Sequence, residues 1–151
     1  MKCKGLSLIS EHTKRLKHYR KLIGQYVNYW APVMGLDSWA ELSVDYTYVP
    51  CPDAPFALAK CQADWQHMTA ILSFYLGIFV AEDLSDERTE AVVVHEMCHA
   101  LLSEISPDCN DGHEERVVTY LTESFLRTKY RERNQRCSST CGKSSSTNTT
   151  S

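Results

Sequence analysis

The chain has 151 residues, 43% of them hydrophobic, which makes one domain with a real core and leaves no room for a separate substrate domain. A net charge of −3 with both signs interspersed gives no nucleic-acid surface. No apolar stretch approaches the roughly 20 residues that span a bilayer, and Met1-Lys2-Cys3-Lys4 does not open a secretory signal. These features predict a cytoplasmic protein with no membrane partner. The seven cysteines are odd in number and scattered, so free thiols are expected.

In chain order, an amphipathic helix is predicted from about Ser10, a reasonable N-cap followed by Glu11, to Tyr29 or Trp30, with Ala31-Pro32 as its stop. Its basic run from Lys14 to Lys21 alternates with Leu16, Tyr19, Leu22 and Ile23 and reads as a solvated helix face. Trp39 to Val49 alternates with period two and predicts a strand ended by Pro50-Cys51-Pro52-Asp53. Ala57 to Trp65 and Met68 to Tyr75 predict a hairpin through Gln66-His67. Ser85 can cap a helix whose first turn carries Asp86 and Glu87 and which runs to about Glu104. After a break at Ser106-Pro107-Asp108, a second helix is expected from Gly112 to about Arg131, burying Val117, Val118, Leu121, Phe125 and Leu126. The domain should therefore cover residues 1–136. Residues 137–151, rich in Ser and Thr, are expected to be a disordered tail.

The chemistry is concentrated at His95-Glu96-Met97-Cys98-His99, an HExxH run placed on a helix by the apolar Ala91-Val92-Val93-Val94 before it. Two imidazoles at i and i+4 share a helical face and can reach one zinc ion, while Glu96 points to where a metal-held water would sit. Cys98 lies off that face and reads as packing. The extended metzincin signature fails, because Leu102 and Ile105 stand where its Gly and third His belong. A carboxylate from the next helix is therefore needed. Asp111 and Glu114 have capping-box spacing, which would occupy Glu114 and leave Glu115 as third ligand, with Glu114 and His113 as rivals. The expected set is one zinc per chain on His95, His99 and Glu115, with Glu96 as the general base of amide hydrolysis. His113, Tyr120 and Tyr130 are candidate donors to an oxyanion, with nothing to choose between them.

Together, His95-Glu96-Met97-Cys98-His99-Ala100-Leu101-Leu102 and the Glu114 to Leu121 segment resemble the small gluzincin-type zincins, including minimal phage and prophage metallopeptidase-like proteins. The ImmA/IrrE-type peptidases are a more distant likeness. The resemblance covers about residues 38 to 128. It implies an α+β, zincin-like fold: an N-terminal helix, a small three-stranded mixed sheet, the HExxH helix, and a following helix carrying the third ligand. It also implies a zinc-dependent peptidase, with residues 57–65 as the edge strand along which a peptide or protein substrate adds. A non-catalytic, zinc-stabilised binding module is the alternative. Such a module has no need of Glu96.

Overall fold

The computed structural model describes residues 4–103 and 111–140, with side chains described over 11–103 and 112–131. Its elements are α1 (Lys4–Met34), a 3-10 turn (Leu36–Ser38), β1 (Glu41–Thr47), β2 (Ala59–Asp64), β3 (Thr69–Tyr75), α2 (Leu76–Ala81), α3 (Asp86–Leu102) and α4 (Asp111–Thr140). The class is α+β, with a three-stranded mixed sheet ordered β1-β3-β2. β1 pairs in parallel with β3, and β2 pairs antiparallel with it. β2 is thus a sheet edge, as expected of the 57–65 segment.

The core forms where α1, α3 and the inner face of the sheet meet. Period-two alternation sends Ala70, Leu72 and Phe74 of β3 inward, where they join Ile23 and Trp30 of α1 and Val93, Val94 and Met97 of α3. Each such side chain contributes about 1.5–3 kcal/mol through burial. Val118 is the residue of α4 driven fully into this core. It fastens the N-terminal half of α4 against α3, which fixes where the neighbouring Glu114 and Glu115 can reach.

Several expectations are corrected. α1 begins at Lys4, so Ser10 is interior and not its cap, and it runs through Pro32 to Met34. Trp30, Ala31 and Met34 are buried, and their packing outweighs the single backbone bond that Pro32 removes in a last turn. The stop is instead Gly35, whose φ of 75° is the left-handed conformation that suits glycine after a helix. The hairpin loop spans Trp65 to Met68 rather than two residues; Asp64 Oδ1 accepts from the amides of Gln66 and His67, and Met68 adopts φ 50°. The short helix α2 follows β3 directly where no helix is predicted. At Gly77 an added Cβ would lie 2.5 Å from the Tyr48 carbonyl oxygen, so only glycine lets α2 approach the end of β1 this closely.

Ser85 caps α3, accepting from the Arg88 amide at 3.2 Å, and the helix ends at Leu102. α4 extends to Thr140, carrying helix into the first residues of the stretch expected to be disordered. The break at Ser106-Pro107-Asp108 and the tail from 141 lie outside the described residues. Among the described residues no helix is long and apolar enough to cross a membrane.

Candidate metal centre

α3 turns His95 and His99 to one face, with Nε2 atoms 3.3 Å apart. From α4, Glu115 brings Oε2 to 3.4 Å from His95 Nε2 and Oε1 to 3.2 Å from His99 Nε2. Three donors from two helices therefore converge, and this group could hold a metal ion. The spacing provides a test of fit. A four-coordinate ion with bonds of about 2.0–2.1 Å requires donors about 3.3–3.4 Å apart, which is the edge of its tetrahedron. The two imidazole nitrogens match that edge, and Glu115, which turns a different oxygen to each of them, needs only a small rotation of its carboxylate to offer one oxygen to both.

Protonation agrees with this geometry. Glu114 Oε1 lies 2.8 Å from His99 Nδ1, and because a carboxylate accepts, the imidazole must donate there. With the proton of a neutral ring fixed on Nδ1 in this way, the lone pair of Nε2 faces His95 and Glu115, the tautomer that a ligand needs. At His95, burial lowers the pKa, with the neighbouring His99 acting in the same direction and Glu115 opposing them. Burial thus suits the His95 ring to be a neutral donor.

Glu96 is 7% exposed. Burial pushes its carboxyl up to about 7, against the pull of His99 and of the Cys61 backbone N–H, with Glu115 adding to the rise. That amide belongs to the edge strand. Leu58 O accepts from Tyr75 N at 2.9 Å, so alternation turns the backbone groups of Ala59, Cys61 and Ala63 to the free edge of β2, facing α3. Glu96, the three donors, Glu114 and Cys61 line one cavity of about 560 Å³. Near it, Cys61 is a poor nucleophile, since burial and the charges of Glu96 and Glu114 push its thiol up to about 12.

The rivals separate. Glu114 turns Oε1 to His99, 2.8 Å from Nδ1, and so stands behind the imidazole and not among the three convergent donors. The Asp111 side chain, the other half of the expected capping box, lies outside the described residues. His113 is exposed, with Arg116 Nη2 3.2 Å from its Nδ1. Of the candidate oxyanion donors, Tyr120 is exposed and Tyr130 donates to Glu90, and neither they nor His113 line the cavity. Cys98 is fully buried, 3.9 Å from the Thr122 hydroxyl.

Sequence reasoning did not foresee the bond from Glu114 to His99 and missed Glu90 altogether. Glu114 could have been found by asking what holds the proton on His99, since a ligating imidazole commonly donates its other N–H to a carboxylate. Glu90 is 1% exposed and accepts from Trp30 Nε1 at 2.8 Å, from Tyr130 OH at 2.9 Å and from Lys129 Nζ. No local pattern marks it, since it follows Asp86, Glu87, Arg88 and Thr89 in a polar first stretch of α3. No family model matches the chain, and neither the curated proteins nor the solved structures contain a match.

Proposed function

We propose that the protein is a zinc-dependent metallopeptidase, with zinc on His95, His99 and Glu115 and with Glu96 as general base. The observation that carries this reading is the position of Glu96: a buried carboxylate with a pKa near neutrality opens onto the same cavity as the three convergent donors. Two imidazoles and one carboxylate suit zinc and leave a position free. When bound, the ion supplies Lewis-acid polarisation of a carbonyl and makes water more acidic.

The chain's own groups supply the rest. Glu96 takes a proton from the water that attacks the scissile carbonyl carbon. As the C–N bond breaks, it returns that proton to the departing amine. Glu114 holds His99 in one tautomer and orientation. The free edge of β2 offers Ala59 and Ala63 backbone groups to a peptide or protein substrate laid alongside as an extra strand.

The test incubates zinc-loaded protein with a peptide mixture, with and without chelator, and reads cleavage by mass spectrometry. Chelator-sensitive cleavage, together with one zinc per chain, is expected. Stoichiometric zinc without cleavage of any peptide would favour the binding module instead.

A further inference from the structure

A second cavity, of about 440 Å³, opens on the other side of Glu96. It shares Ala59, His95 and Glu96 with the metal-centre cavity, so a molecule reacting at Glu96 can extend into it. Most of its wall area is apolar, from Leu58 leading into β2, Ala91 and Val92 of α3 and Leu126 of α4, with Thr119 and Thr122 of α4 beside them. Among the described lining residues, the only lysine or arginine is Arg88. The backbone amide of Arg88 serves the Ser85 cap, whereas its guanidinium has no ion-pair or hydrogen-bond partner among the described residues. Glu123, a carboxylate on the same wall, is engaged by Arg127 Nη2 at 2.8 Å. The pocket therefore pairs a large apolar volume with one uncommitted cation.

Distance limits what that cation can meet. Arg88 precedes His95 by two helical turns, about 10 Å along α3. An extended chain advances roughly 3.3–3.6 Å per residue, and the arginine side chain spans much of the remainder. A carboxylate on the residue that fills the pocket, or on the one after it, comes within reach.

We propose that this pocket selects the substrate, taking a bulky apolar residue such as Leu or Phe next to the bond to be cut, with a carboxylate at or just beyond that residue paired to Arg88. The proposal rests on the peptidase reading and names its substrate class. Two sources share this chemistry: the C-terminal carboxylate of a short peptide, or an acidic side chain one residue on. An arginine fork prefers a carboxylate over a neutral amide, and a fitted apolar pocket discriminates by size.

Binding can be measured without turnover. N-acetyl-leucine, N-acetyl-leucinamide, N-acetylglycine and N-acetyl-Leu-Asp-amide are titrated by NMR into the full chain, zinc-loaded and metal-free. N-acetyl-leucine or N-acetyl-Leu-Asp-amide should bind at least about tenfold tighter than the leucinamide and the glycine compound in both metal states. The tighter of the two identifies the source of the carboxylate. Arg88→Gln, an exposed substitution, should erase the advantage of acid over amide, and Val92→Phe should erase that of leucine over glycine. Equal binding of acid and amide, an unchanged ratio in Arg88→Gln, or an advantage seen only with zinc present would overturn the proposal. Selective binding with no peptide cleaved would count against the peptidase and leave the pocket standing. Cleavage without this preference would do the reverse.

Discussion

Glu90 and Glu96 stand less than two turns apart on α3, and both are nearly closed to solvent, at 1% and 7% exposure. At 100° per residue their side chains leave the axis about 120° apart, so they enter different surroundings. Glu90 meets Trp30, Lys129 and Tyr130, and Lys129 in turn lies 4.6 Å from the Tyr29 ring centroid and 5.5 Å from that of Trp30. Its charge is matched by a cation and by donors from α1 and α4. Glu96 has one backbone amide and a partly open cavity, and burial is the main influence on it. The same residue type on one helix thus forms a structural clasp where its charge is satisfied, and where it is not it is the group proposed above as the general base.

The largest effect expected from this contrast is on turnover. Glu96→Gln should keep fold and zinc but lower cleavage by about 10²–10⁴-fold, because an amide cannot accept the water's proton. Cleavage at the wild-type rate by this variant would remove Glu96 from the chemistry.

The same substitution at Glu90 should act on stability instead. Glu90→Gln sets an amide N–H₂ among the Trp30, Lys129 and Tyr130 donors and leaves the ammonium without its counter-charge. A loss of about 3–5 kcal/mol in denaturant unfolding is expected. A change under about 1 kcal/mol would mean that the clasp is not holding α1 to α4.

In metal-free protein, Glu96→Gln should have the opposite sign. A carboxyl raised from 4.5 to about 7 makes the folded chain bind more protons than the unfolded chain between those values. Wild-type stability should therefore fall as pH rises through that window, and the loss is complete above pH 7. Gln does not ionise, so the variant should gain on wild type by about 3 kcal/mol between pH 4 and pH 8. Parallel stability–pH curves for the two proteins would contradict the burial of Glu96. The smallest effect belongs to Glu114→Ala, which frees the His99 ring and should weaken zinc about 10–100-fold, against a loss of several orders of magnitude in Glu115→Ala.

How far the sequence could be read followed the range of the forces involved. The HExxH helix and its Ser85 cap were legible because i,i+4 spacing and capping are local, and the order of the three strands and three long helices followed from period-two and helical patterns, whereas the short α2 did not. The bounds of α1 were not, because Trp30 and Met34 are held by distant core partners that override the local signal of Pro32. For the same reason Glu114 was misread. Its spacing from Asp111 suggested a cap, but the bond it makes is to His99, fifteen residues back on α3. Glu115 was reached by elimination, and its nearness to both imidazoles depends on how Val118 seats α4 against α3, which no local pattern encodes.

The central claim is that one ion sits among His95, His99 and Glu115. Anomalous diffraction at the zinc edge from zinc-loaded crystals tests it most directly. The account predicts a single strong peak within about 2.3 Å of His95 Nε2, His99 Nε2 and a Glu115 carboxylate oxygen, with Glu114 still on His99 Nδ1. A peak held by Glu114 or His113 with Glu115 in solvent, or no peak at these imidazoles, would contradict it.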